Sequence, residues 1–305
     1  MESVAANPLE LPAGHAPSSQ VERVLAVLVV TVPALGTIAA FTLPIAHRAP
    51  LRDALIFALM YLVTGFGITV GFHRLFTHRS FEASPALRVA LAIAGSMALQ
   101  GPVIRWVSDH RRHHAHSDEP GDPHSPVVGG FFHAHVGWLW SDLRSRPTKY
   151  AKDLLGDKTI RALDRRYLWW MAASLAVPTL LGGLVGGSLE AAVSALLWGG
   201  FARLFFVHHV TWAINSVCHV VGRSPYASRD QSRNVAWLAL PSLGESWHNN
   251  HHAFPTSSAH GLGWYQLDPS AWLIRAFVAL GLASAPKRPT DKALHEKLRG
   301  AAEIV

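Results

Sequence analysis

Nineteen histidines occur in 305 residues, and their spacing is not random. Three clusters stand out: His73-Arg74-Leu75-Phe76-Thr77-His78, His110-Arg111-Arg112-His113-His114 and His248-Asn249-Asn250-His251-His252. A fourth element is Asn215-Ser216-Val217-Cys218-His219. On a helix, positions i, i+3 and i+4 share a face, with Cβ atoms roughly 5–6 Å apart. His110 with His113 and His114 has that spacing, and so does His248 with His251 and His252. Sequence neighbours diverge by about 100° around the axis. His113 and His114 should therefore serve different ions. Two facing boxes predict two metal ions, each box giving ligands to both. Asn215 and His219 are i and i+4 and share a face. His73 and His78 are five apart, which suits no single α-helical face, so the helix is expected to end between them.

The candidate ligands are His73, His78, His110, His113, His114, His219, His248, His251 and His252, four or five for each ion. Asn215 is a weaker ligand than imidazole and is assigned to orienting a metal-bound water. Imidazole suits zinc, copper, iron and nickel. A structural zinc site needs only about four ligands. A zinc protease would carry His-Glu-x-x-His, and no box here has that glutamate. A two-metal hydrolase would use bridging carboxylates. The nearest acids, Asp109 and Glu245, read better as acceptors for imidazole N–H groups. A redox pair remains, iron working with dioxygen. His15, His47, His260 and His295 read as surface or hydrogen-bonded residues. His116, His124, His133 and His135 read as packing or supporting groups, and His208-His209 is ambiguous, with support of the metal centre the less favoured reading.

Half of the side chains are apolar and 15% are charged, against about 25% charged in an ordinary soluble domain. Disorder is excluded, and the excess apolarity indicates a membrane protein. The formal charge of +7 suits anionic lipid. The basic residues spread over a membrane-proximal face and form no nucleic-acid motif. The single cysteine, Cys218, permits no intrachain disulfide. Residues 1–22 read as a disordered tail without the basic start of a signal peptide. Residues 24–46 and 54–72 are uncharged runs of spanning length and form a first transmembrane hairpin (23–72). Residues 73–166 form a cytosolic His-box region. Within it, 89–104 is apolar but short, and is expected to lie in the interface. Residues 167–202 form a second hairpin, and 203–305 a helix extension and cytosolic cap carrying the third box. The three boxes meet only if 89–104 does not cross. The positive-inside rule agrees: Arg74, Arg79, Arg88, Arg105, Arg111 and Arg112 lie on the histidine side, while Arg48 and Arg52 lie in the first opposite loop. The metal side and both termini are thus expected in the cytoplasm.

His-Arg-x-x-x-His, two His-x-x-His-His boxes and Asn-x-x-x-His together resemble the membrane fatty acid desaturases of the stearoyl (Δ9) type. The resemblance runs over residues 61–282. It includes Gly67-Ile68-Thr69, Asp122-Pro123-His124, His135-Val136-Gly137-Trp138 and Gly244-Glu245-Ser246-Trp247-His248, and the Trp-His-Asn-Asn-His-His form is similar to bacterial members. It implies an all-α, four-span, mushroom-shaped protein whose cytosolic cap holds a di-iron centre, in a bacterial inner membrane. It also implies a cis double bond inserted into a saturated acyl chain with dioxygen and two external electrons. By motif match, the nine histidines would be the iron ligands and Asn215 the water-binding residue.

Taking hydrogen from an unactivated methylene does require a strong metal-generated oxidant. In the family, residues at the places of Tyr61 and Gly65 help close the acyl tunnel. They lie twelve and eight residues before His73, about 18 and 12 Å on an α-helix. Animal acyl-CoA members carry arginine where this chain has Ser108, asparagine where it has Ser125, and a basic pair after His-Val-Gly-Trp. Here Leu139-Trp140-Ser141-Asp142 follows, with Arg144 and Arg146 later. The acyl carrier is therefore open between coenzyme A and a membrane glycerolipid. A histidine-box hydroxylase or alkane monooxygenase is the nearest rival. A divalent-metal transporter is remote, because its ionisable groups would lie inside the spans. No haem or flavin segment follows the third box, so a separate ferredoxin or cytochrome b5-type carrier, with its reductase, is expected to supply electrons. The basic tail (Lys287, Arg288, Lys292, Lys297, Arg299) is a candidate docking surface.

Overall fold

The computed structural model describes residues 15–46, 50–141 and 143–298. Most of the expected N-terminal tail, 1–14, lies outside these residues, as do His47, Arg48, Asp142 and Arg299. A short strand, β1 (His15–Pro17), anticipates its antiparallel partner Leu143–Ser145 in the cap. The helices that position the site are α1 (Gln20–Thr42), α2 (Leu51–Thr77), α3 (Pro85–Ser96), α4 (Val103–His116), α5 (Tyr167–Gly186), α6 (Leu189–His219), α7 (His248–Ala253) and α8 (Pro269–Ala279). Of these, α1, α2, α5 and α6 are long and apolar enough to cross a membrane. At 31 residues, α6 is about 46 Å long against a hydrocarbon thickness of about 30 Å. Its far end must leave the apolar layer, and His219 sits there.

The second helix ends at Thr77, between His73 and His78 as expected, but its last stretch, Gly67–Thr77, is a π-helix. In a π-helix each N–H reaches the carbonyl five residues back, and His78 N–H does donate to the His73 carbonyl at 3.1 Å. Residues five apart thereby become neighbours, and the two rings sit 4.8 Å apart. The segment 89–104 is not one helix. The chain stops at Ser96, turns through Leu99 and Gly101, both at positive φ, and restarts after Pro102. That reversal returns α4 towards α2. The turn is fastened from the far side by Arg203, fully buried in α6, which donates to the carbonyls of Met97 at 3.2 Å and Ser174 at 2.9 Å. His208 meets the Ala98 carbonyl at 2.7 Å.

The α2–α3 contact has no room for side chains. A Cβ at Gly67 would lie 2.2 Å from the Gly95 backbone nitrogen. Backbone cannot swing aside as a side-chain tip can, and overpacking of this kind costs about 1–3 kcal/mol. Gly67→Ala should therefore lower the thermal inactivation midpoint in detergent by several degrees. Gly156→Ala, where a Cβ meets open space, should not. Equal midpoints for the two variants would show that the approach is not confining.

Candidate metal centre

The nine histidines converge as two sets. Ring nitrogens of His73, His78, His110, His114 and His251 lie within 4.8 Å of one another, as do those of His113, His219, His248 and His252. The helix α4 sends His110 and His114 to the first set and His113 to the second, because adjacent residues diverge around the axis. The helix α7 sends His251 to the first set and His248 with His252 to the second. Within the first set, the Nε2 atoms of His73 and His251 are 3.1 Å apart, His251 and His114 2.9 Å, and His114 and His110 3.1 Å. In the second set, His248 and His219 are 3.0 Å apart, and His113 and His252 3.4 Å. Imidazoles sharing one cation at about 2.1 Å would place neighbouring nitrogens ~3.0–3.4 Å apart. The donor set therefore fits two metal ions.

Carboxylates fix which ring nitrogen faces inward. Nδ1 of His113 donates to Asp122 at 2.9 Å, that of His219 to Asp118 at 2.8 Å, and that of His252 to Asp230 at 2.6 Å. His73 Nδ1 donates to Glu245. Each bond leaves an Nε2 lone pair for the centre. Three of these acceptors, Asp118, Asp122 and Asp230, were not singled out by spacing. Only Asp122 carried a sequence signal, as part of Asp122-Pro123-His124. Asp109 was expected to support an imidazole. Instead it lies 3.5 Å from Arg105, its i−4 neighbour, because its place beside His110 turns it about 100° away. His260 is a buried core residue, one of the two expectations for it, with Nδ1 3.3 Å from Glu245 and its ring 4.4 Å from that of His251. His208 and His209 do not reach the centre. His209 pairs with His135 at 3.0 Å. Ser125 donates to Asp118 at 2.7 Å and so braces the acceptor of His219.

Burial, reinforced by neighbouring imidazoles, holds His110, His114, His248 and His251 well below the ordinary histidine pKa. Burial also brings His252 to about 4, despite its bond to Asp230. Neutral imidazole is the form that binds metal. At His113 burial pushes down, but the charge and hydrogen bond of Asp122 outweigh it and raise the pKa. Burial would raise Asp122 and Asp230, and their imidazole partners reverse this and keep both as carboxylates.

A narrow cavity of about 60 Å³ adjoins the centre, lined by Tyr61, Gly65, Trp106, Asn215 and Leu243 together with His73, His110 and His248. The Tyr61 hydroxyl donates to the Pro241 carbonyl at 2.7 Å and closes one wall. A second cavity of about 340 Å³ shares Trp106, His110, Thr211 and Asn215 with the first and runs out between α1, α4 and α5. On another side, His78, His114 and His252 line a third opening with Arg111, Arg229 and Lys297.

Residues 49–284 match the family model for fatty acid desaturases. The hex-5-enoyl-[acyl-carrier protein] acetylenase of Moorena producens is 44% identical over 277 residues, covering 87% of this chain and 86% of the relative. The sn-1 stearoyl-lipid 9-desaturase of Synechocystis is 38% identical over 242 residues, covering 78% and 73%. The icosanoyl-CoA 5-desaturase of Limnanthes douglasii is 38% identical over 253 residues, covering 80% and 68%. With the match spanning most of the chain and two sets of imidazoles beside an apolar cavity, the protein belongs to the fatty acid desaturase family.

Proposed function

We propose that the protein is a multi-pass membrane enzyme that uses two iron ions and dioxygen to insert a cis double bond, at Δ9, into saturated acyl chains. The observation that carries this reading is the pair of imidazole sets, five and four, at the wall of an apolar cavity. Iron held by such sets supplies the redox chemistry with dioxygen that removes hydrogen from an unactivated methylene. The protein's own residues do the rest. Ile68, Val207, Val210 and Ile214 wall the cavity with apolar surface and keep water from the chain. Glu245, Asp118, Asp122 and Asp230 hold the imidazoles at one tautomer. Asn215, on the cavity wall one turn before His219, is suited to hold a water at the second set.

Tyr61 and Gly65 line the cavity and, on this reading, help close its far end. Leu243 Cδ1 lies 2.8 Å from where a Gly65 Cβ would stand. The π turns of Gly67–Thr77 pack more residues into each turn, so the ruler from Gly65 to His73 is shorter than an α-helical count gives. The positive-inside rule places the centre on the cytoplasmic side, in a bacterial inner membrane. Electrons come from a separate ferredoxin or cytochrome b5-type carrier. The opening at His78, His114 and His252, bordered by Arg111, Arg229 and Lys297, suits an acidic partner.

Expression in a host whose acyl chains are all saturated should yield a cis-Δ9 monoene and a protein containing iron. His251→Ala should abolish product and lower bound iron. A hydroxylated or acetylenic product would overturn the assignment. Gly65→Leu should shift products towards shorter chains, read by gas chromatography of the fatty acid methyl esters; an unchanged chain-length profile would remove Gly65 from the tunnel end. Turnover with a reduced plant-type ferredoxin should fall about tenfold between low and half-molar salt, as charge screening tightens. Arg229→Glu should raise the KM for that carrier without loss of iron. A flat salt response would exclude electrostatic docking there.

A further inference from the structure

A short helix, Lys158–Arg165, stands immediately before α5 and has two faces. Ile160 and Leu163 are buried on one of them. Lys158, Arg161 and Arg165 are i, i+3 and i+7 and share the other, and Arg166 follows at its end. The acids of this segment are already committed. Asp157 caps the helix, accepting from Thr159 N–H at 2.9 Å, and pairs with Arg88 at 2.8 Å. Asp164 turns inward and accepts from Ile104 N–H at 2.9 Å. Among the described residues no carboxylate pairs with Lys158, Arg161, Arg165 or Arg166, and the Nε of Arg161 is shielded from solvent without a partner. The next turn is apolar. Leu168 is 69% and Trp169 73% exposed at the start of α5, whereas Tyr167 and Met171 line the second cavity. Tryptophan gathers at the headgroup level of spanning helices. Four cations and an aromatic anchor therefore meet where a span leaves the apolar layer, and none of the four lines the cavities described above.

We propose that this face binds the headgroup of an anionic bilayer phospholipid, held as a structural lipid rather than as the acyl substrate. Basic clusters beside a span attract such lipids, each cation near the surface adding about fivefold in affinity. Trp169 and Leu168 lie against the acyl chains below the headgroup. Asp164 ties the same helix to the first turn of α4, which carries His110, His113 and His114. Lipid held here steadies α4 from the outside. The site is independent of the reaction assigned above.

The test is binding of dioleoyl phosphatidylglycerol to the purified, metal-loaded protein in neutral detergent, counted by native mass spectrometry and read again as a rise in the thermal midpoint. Saturating stearate occupies the acyl cavity in every sample. Dioleoyl phosphatidylcholine, which carries phosphate without net charge, and inorganic phosphate are the controls. The wild-type protein should retain phosphatidylglycerol in preference to both, and gain several degrees. Arg165→Gln with Arg166→Gln should weaken that binding about twentyfold, with the iron content and the lipid-free midpoint unchanged. Lysine at both positions should keep most of the binding. Lys292→Gln, on an exposed helix near Glu296, should change nothing. Equal retention of the two phospholipids, equal retention by wild type and the Gln pair, or the same rise with inorganic phosphate alone overturns the lipid site.

Discussion

Glu245 is buried among basic groups from two parts of the chain. One oxygen accepts from Arg74 Nε at 3.1 Å and Nη2 at 2.9 Å, and the other accepts from His73 Nδ1. Arg74 is fully buried and also donates to the Ser258 carbonyl at 2.8 Å and to Asp268 at 3.1 Å. Charges placed this deep are tolerated only when every partner is present, and removing one from such a set costs about 3–5 kcal/mol. The knot therefore has one low-energy arrangement. It joins the end of α2 to the segment that carries α7, and so fixes His73 against His251. The first imidazole set exists because of this closure, and the second inherits its position through α7.

The π-helical end of α2 makes that closure possible. An ordinary α-helix would point His73 and His78 to different faces, and one of them would be lost to the centre. The wider turn puts both rings on one side, while Arg74 still reaches Glu245. Such turns bond less favourably than α-turns and occur mostly at functional sites. Here the cost is offset by close packing: Gly67 and Gly71 let α3 approach without a Cβ between the backbones. The short α3, fastened at its end by Arg203 and His208, is as much a part of the metal centre as the ligands, because it returns α4 to the same side.

Much of this was legible from residue spacing. The division of His110, His113 and His114 between two imidazole sets follows from 100° per residue alone, and so does that of His248, His251 and His252. The spans were legible from uncharged runs, because hydrocarbon admits few charges. What escaped has a common cause. Asp118, Asp122 and Asp230 stand in loops, where no periodicity links them to the rings they hold. Asp109 misled because closeness in sequence along a helix means divergence in space. His73 and His78 gave no sign of the turn that brings them together, because a π turn leaves no pattern in residue type. His260, alone in the sequence, gave no sign that the fold would press it against Glu245.

The centre is approached from opposed chemical environments, and the division of the ligands reflects it. His73, His110 and His248 border the apolar cavity, whereas His78, His114 and His252 border a polar opening with cations around it. Each imidazole set has members on both sides. Rings of both sets therefore line the polar opening, so a partner docked there would contact either set without entering the apolar cavity, and that cavity could remain dry. Each of the three boxes sends one imidazole to the apolar cavity and another to the polar opening, so the offset of four or five residues within a box is what gives the centre two sides.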